Sequence, residues 1–204
     1  MKICVVGWYF DENFLESLTR ITDKYPVTIV AHKDKLPERF KGVFDYHVTE
    51  NKGLEYGAYD YYLKNIWDGD SVLFMHDDMT IQPIVRNYEL QSSFLLYDSI
   101  ADFKEDLVYI FKNDNDRRNC FDMHGRCMYA SGNFLKDLKD KNGGFPVDEN
   151  NDGHTMGPTP SYCKHYNWAV EELKKFWEVM QLSGCTVKAV IIPAINYHIR
   201  GMKP

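Results

Sequence analysis

The chain has 204 residues, of which 44% are hydrophobic, 26% charged and 15% aromatic, with a formal net charge of -6. That length suits one domain with a sizeable core, and the acidic balance excludes a general nucleic-acid binder, which needs a basic face against phosphates. No apolar run reaches the roughly 18 residues of a membrane-spanning helix, and the five scattered cysteines, Cys4, Cys120, Cys127, Cys163 and Cys185, fit reduced thiols in a soluble, cytoplasmic protein.

Ile3 to Val6 is a short apolar run with neither a cationic leader nor a small-residue cleavage site, and reads as a first strand. Glu12 to Asp23 carries Phe14, Leu15, Leu18 and Ile21 at helical spacing, Val27 to Ala31 reads as a second strand, and Val43 to Val48 as a weaker third. Asn51-Lys52-Gly53 then turns the chain into a helix with Tyr56, Tyr59, Leu63, Ile66 and Trp67 on one face. After the turn Asp68-Gly69-Asp70, the run Val72-Leu73-Phe74-Met75 has the unbroken apolar character of a strand covered on both faces. This alternation predicts an α/β fold with a mainly parallel sheet and right-handed crossovers. Farther on, Pro83 to about Phe111 is expected to be largely helical, Cys127 to Ala130 a strand, Lys141 to Pro160 a long irregular loop, Asn167 to Met180 a helix and Val187 to Ile192 a last strand. Loops of that length in a compact domain commonly bind or cover a ligand.

The chemistry concentrates where the strand at Val72 ends, because His76, Asp77 and Asp78 arrive together at a carboxyl end, the edge on which open α/β sheets bind ligands. Adjacent strand residues face opposite sides, so Asp77 and Asp78 do not both reach one ion. Carboxylate oxygens there suit Mg2+ or Mn2+, with the cation holding a diphosphate; the plainer reading is an acidic turn of solvated side chains. Trp8 and Tyr9 offer faces for stacking on a nucleobase, against the ordinary reading of core aromatics. A zinc site of Cys120, His124 and Cys127 with Cys163 or His165 is the weaker metal reading, since the spacing lacks paired C-x2-C knuckles.

These residues in this order resemble the GT-A glycosyltransferases, which move a sugar from a nucleotide diphosphate to an acceptor. The likeness rests on Gly7-Trp8-Tyr9 ending the first strand, on Asn51-Lys52-Gly53 with the following Tyr56 and Gly57, on Asp70 to Met79 as the metal strand, and on Gly143-Gly144-Phe145 with Asp148-Glu149 as an acceptor-side loop. It implies one GT-A domain, with residues 1–82 as the nucleotide-binding half and 83–204 as the acceptor-side half. Asp78 and a histidine near the end, His198, would hold Mn2+ or Mg2+. His76 would lie near the diphosphate, Asp77 near the ribose, Asp34 against the uracil imide, and Arg200 on phosphate. Gly53 and Gly57 would let backbone approach the nucleotide. Asp148, Glu149 and Asp152 are the candidates for a base that deprotonates the acceptor hydroxyl if the reaction inverts the sugar carbon; His154 and His165 are weaker ones.

The implied donor is a UDP-sugar and the implied acceptor a glycan or glycoprotein. The motif departs from the family at its first position, where His76 replaces an aspartate. The opening also resembles the glycosyltransferase domain of a multidomain protein of large DNA viruses of green algae. That likeness implies a viral protein with further domains, acting in the host cytoplasm with UDP-glucose or UDP-rhamnose on a capsid glycan. Two rivals remain in view: a nucleotidyltransferase, which usually shows a glycine-rich basic loop after the first strand, and a nucleotide-sugar or carbohydrate-binding module without turnover.

Overall fold

A computed structural model describes residues 1–8, 10–77, 79–81, 85–86, 89–90, 103–111, 127–147, 184–191 and 195–197. The chain opens with β1 (Lys2–Gly7), α1 (Glu12–Thr19), β2 (Val27–Ala31), a single 3-10 turn (Glu38–Phe40) and β3 (Asp45–Val48). Next come α2 (Leu54–Asn65), β4 (Val72–His76), β5 (Met79–Ile81), β6 (Val85–Arg86), β7 (Glu89–Leu90), β8 (Leu107–Phe111), β9 (Cys127–Ala130), α3 (Gly132–Asn142), β10 (Val187–Ile191) and β11 (Ile195–Tyr197).

Seven strands form one sheet in the order β10-β8-β9-β4-β1-β2-β3, and only β9 runs antiparallel to its neighbours. The expected α/β architecture with a mainly parallel sheet is therefore present. From β1 the chain steps through α1 to β2 and then to β3; from β3 it returns through α2 to β4 on the other side of β1. Right-handed crossovers in opposite directions put their helices on opposite faces, and the core divides accordingly. Ile3, Val5, Ile29, Leu73 and Met75 pack with Phe14, Leu15 and Leu18 of α1. Cys4, Val6, Val30, Val72 and Phe74 pack with Tyr59, Tyr62 and Leu63 of α2 and Leu135 of α3. This alternation is the period of two along each strand, with both faces covered.

Local chemistry explains the helix limits. Asp11 caps α1, its Oδ1 accepting the N–H groups of Asn13 and Phe14 at 2.9 and 3.2 Å. The helix is shorter than the sequence pattern suggests, because after Thr19 the chain continues in turns that still bury Ile21. Two expectations need correction. Within Pro83 to Phe111 the described residues form β6, β7 and β8 rather than helix; Leu107-Val108-Tyr109-Ile110-Phe111 is rich in β-branched and aromatic residues that fit a pleated, buried surface. The loop expected from Lys141 begins later, because α3 (Gly132–Asn142) runs through Lys141 and Asn142. Ser131 caps it by accepting the Phe134 N–H at 3.1 Å, and Phe134, Leu135 and Leu138 bury one face. The helix expected over Asn167 to Met180 lies outside the described residues.

Candidate functional site

Open α/β sheets bind ligands at the carboxyl edge where strand order reverses, which here lies between β1 and β4. Val6 pairs with His76, and Gly7 with Ala31. Both ladders extend by one bond: Asp77 N–H donates to the Val6 carbonyl at 2.8 Å, and His32 N–H donates to the Gly7 carbonyl at 3.1 Å. Gly7 thus sits between His32 on the β2 side and Asp77 on the β4 side.

The Asp77 side chain is fully buried, and its Oδ2 accepts the Trp8 N–H at 2.7 Å while Oδ1 lies 3.2 Å from His76 Nδ1. A buried carboxylate needs such partners to be tolerated. It also explains Gly7, because a Cβ there would stand 2.0 Å from Asp77 Cγ. In this arrangement Asp77 turns inward and ties the end of β1 to the end of β4. Trp8 is half-buried, with Lys33 Nζ 4.6 Å from its ring centroid and the His32 ring 5.9 Å away at a 57° tilt.

His32 is the residue that the sequence reading missed. It follows a buried strand, is 8% exposed, and its Nδ1 is buried without a hydrogen-bond partner. Burial lowers its pKa below the usual histidine value, against the raising effects of the Leu54 carbonyl, Glu55 and Asp77 and with a further lowering by His76. The ring is therefore neutral at pH 7. That His32 stands beside Gly7 and Asp77 follows only from the sheet order. Asp34, the expected reader of uracil, is exposed and accepts a hydrogen bond from the Tyr46 hydroxyl at 3.2 Å.

The turn into α2 is unusual. Gly53 has φ 75° and Leu54, a non-glycine residue, follows at φ 51°, so two successive residues are left-handed. Asn51 is buried at its start. Tyr56 is core, with ring centroids 6.0 Å from Tyr59 and 6.1 Å from Phe145. At Gly57 a Cβ would lie 1.6 Å from the Lys52 carbonyl oxygen, so the tight turn itself demands a glycine there.

The Gly143-Gly144-Phe145 segment is built against the same helix. Gly143 ends α3 at φ 76°, and Asp60 Oδ1 accepts the Phe145 N–H at 3.0 Å, so close to Gly144 that a Cβ there would fall 2.0 Å from it. Asp60 also pairs with Lys64 at 2.7 Å. Two residues beyond Phe145, the Val147 side chain occupies the space over Gly53, where a Cβ would be 2.4 Å from Cγ1. Residues 143–147 thus run along α2 from Asp60 to the turn at Gly53.

Beyond the end of β4, β5 and β11 form a separate antiparallel pair in which Met79 stands opposite Tyr197, with β5 beside α1. Tyr9, Asp78, Asp148, Glu149, Asp152, His198 and Arg200 lie outside the described residues, as do Cys120, His124, His154, Cys163 and His165. Among the described residues, no group of three His, Cys, Asp or Glu side chains is placed to hold a metal ion. Cys4 and Cys127 are free thiols in the core, their pKa values pushed up by burial. No helix among the described residues is long and apolar enough to cross a membrane.

No family model matches the chain, and no curated protein matches its sequence. Among solved structures, the chain is similar to the apo form of the glycosyltransferase GlyE of Streptococcus pneumoniae TIGR4. The identity is 10% and the TM-score 0.44, over 92% of this chain and 44% of that one. A second GlyE structure gives 10% identity and a TM-score of 0.43 over 93% of this chain and 45% of the other. The chain therefore spans less than half the length of these proteins. At this distance the likeness assigns no activity and no ligand.

Proposed function

We propose that the chain is a metal-dependent glycosyltransferase that moves a hexose or deoxyhexose from a UDP-sugar to a glycan acceptor. The observation that carries this reading is the register of β5 and β11. Met79 pairs with Tyr197, and the chain neighbours of that pair are Asp78 and His198, the two residues named for a metal by their resemblance to the GT-A pattern. A carboxylate and an imidazole are a donor set that suits Mn2+ or Mg2+. The pair adjoins the edge on which Gly7, Trp8, His32 and Asp77 gather.

A divalent cation bound there supplies neutralisation of the departing nucleoside diphosphate. The chain's own groups do the rest. Trp8 offers a half-exposed ring for the base, and Asp77 holds the Trp8 backbone. In the reaction, the acceptor hydroxyl oxygen bonds to the anomeric carbon, the sugar–diphosphate bond breaks, and UDP leaves with the bonding electrons. Asp148, Glu149 and Asp152 are the candidates to take the hydroxyl proton, supported by the anchoring of Val147 at Gly53.

A second reading, a nucleotide-sugar-binding module without turnover, draws support from His76, which replaces the first acidic position and leans on Asp77 instead. Incubation of the protein with UDP-glucose, UDP-galactose and UDP-rhamnose and Mn2+, with released UDP as the readout, separates the two. Release of UDP above the protein-free rate supports the transferase. Mn2+-dependent binding without any release supports the module.

A further inference from the structure

We infer that Asp77 is a positioning residue: it sets nucleotide affinity by holding Trp8 and touches no part of the ribose. The inference rests on the proposed nucleotide reading and deepens it, because the resemblance to the GT-A enzymes puts Asp77 beside the ribose. Three observations point the other way. The Asp77 side chain is 0% exposed against 23% for that of His76, so His76 is the member of the pair that a ligand can reach. Both Asp77 oxygens are engaged inside the protein, Oδ2 by the Trp8 N–H at 2.7 Å and Oδ1 at 3.2 Å from His76 Nδ1. The Asp77 N–H meanwhile donates to the Val6 carbonyl at 2.8 Å, so one residue grips the chain on both sides of Gly7.

That grip decides what Asp77 can control. Its carboxylate crosses over residue 7, where a Cβ would stand 2.0 Å from Cγ, and only glycine leaves it that passage. Trp8 is the first residue past β1, and a hydrogen bond from its N–H to a carboxylate is of the short, strong kind. Fixing that N–H restricts the direction in which the indole leaves the sheet, where Lys33 Nζ lies 4.6 Å and the His32 ring 5.9 Å from it. An aromatic ring held in place before a base arrives loses less conformational freedom when the base stacks on it, and affinity rises accordingly. Removal of the carboxylate frees the ring and takes this acceptor from the Trp8 N–H. A carboxylate that read the ribose would matter only to nucleotides with ribose hydroxyls. One that acts through Trp8 matters equally when the hydroxyls are gone.

The test is calorimetric titration of UDP and 2′,3′-dideoxy-UDP, each with Mn2+, into wild type, Asp77→Asn, Asp77→Ala, Trp8→Ala and the double variant carrying both alanine substitutions. Asparagine keeps the shape and an oxygen acceptor for the Trp8 N–H; alanine keeps neither. Asp77→Asn should bind UDP within about 3-fold of wild type. Asp77→Ala should bind both nucleotides about 10-fold or more weakly, by the same factor for each, and should add no more than about 3-fold to the loss in Trp8→Ala. Three results overturn the inference and leave the nucleotide reading standing: an Asp77→Asn loss of about 10-fold for UDP but not for the dideoxy compound, an Asp77→Ala protein with unchanged UDP affinity, or full additivity of the two alanine substitutions. If Asp77→Ala does not fold, the Asp77→Asn titrations decide between a ribose contact and the hold on Trp8. A folded wild type that binds neither nucleotide overturns both the inference and the reading beneath it.

Discussion

Two polar side chains at opposite edges of the sheet, Asp106 and His32, differ in how they are satisfied. At the amino edge, Asp106 is saturated: Oδ2 accepts the Thr186 N–H and hydroxyl at 3.0 and 2.9 Å, and Oδ1 accepts the Ser131 hydroxyl at 3.1 Å. One carboxylate thereby fastens the start of β8, the approach to β10 and the cap of α3. At the carboxyl edge, Asp77 is equally engaged with Trp8 and His76, yet beside it His32 keeps a buried nitrogen without a partner. Left-handed Gly53 and Leu54 border the same place. The contrast is between these two groups rather than between whole edges, because the Tyr62 hydroxyl, at the end of α2 near Asp68 and Asp70, is also buried without a partner.

Substitutions should keep the two edges distinct. The largest effect is expected from Gly7→Ala, whose Cβ has no room beside Asp77; it should cost about 3 kcal/mol in urea unfolding and weaken UDP binding as well. Asp106→Ala removes three accepted hydrogen bonds and should cost roughly 2 kcal/mol with UDP affinity unchanged. The same residue gives the amino edge an acid signature. Burial alone would raise its pKa, but the Thr186 N–H, the Thr186 hydroxyl and the Ser131 hydroxyl together bring it below the usual aspartate value. A depressed folded-state pKa contributes stability that is complete above the ordinary carboxylate range and fades as pH falls through the folded value. Asp106→Asn should therefore flatten the acid limb of the stability–pH curve below about pH 4.

Asp60 sharpens the comparison from a third position. Asp60→Ala should cost about 1 to 2 kcal/mol and speed amide hydrogen exchange of residues 143–147, and Asp60→Asn, which keeps an acceptor for the Phe145 N–H, should largely restore the slow exchange. The smallest effect belongs to the surface of α3. Asp137 and Lys141 form a 2.6 Å helical pair between exposed side chains, and Lys141→Ala should change stability by no more than ~0.5 kcal/mol.

Much of the fold was legible because its signals were local. The runs at Ile3, Val27 and Val72 are continuous and apolar, and each is a strand at the expected place. The expected helix over Pro83 to about Phe111 fails at Leu107–Phe111, where pairing with distant strands makes β8, while Phe94 and Leu95 lie outside the described residues. The helix after Ser131 was overlooked because Lys136, Asp137, Lys139, Asp140 and Lys141 hide its narrow apolar stripe of Phe134, Leu135 and Leu138.

At the site, the edge itself was readable from His76-Asp77-Asp78 and from Gly7. The inward turn of Asp77 was not, since it depends on the N–H of Trp8, 69 residues away and just past β1. His32 was silent in sequence for a similar reason: only the sheet order brings it level with Trp8 and Asp77.

The central claim is that the carboxyl edge binds a nucleotide diphosphate with the help of a cation held by Asp78. Titration of UDP into wild type and Asp78→Ala, each with and without Mn2+, tests it directly. The account predicts binding that is tight only with Mn2+ and is lost in Asp78→Ala, with the melting temperature preserved. UDP binding of equal strength in all four titrations, or none in folded wild type, would contradict it.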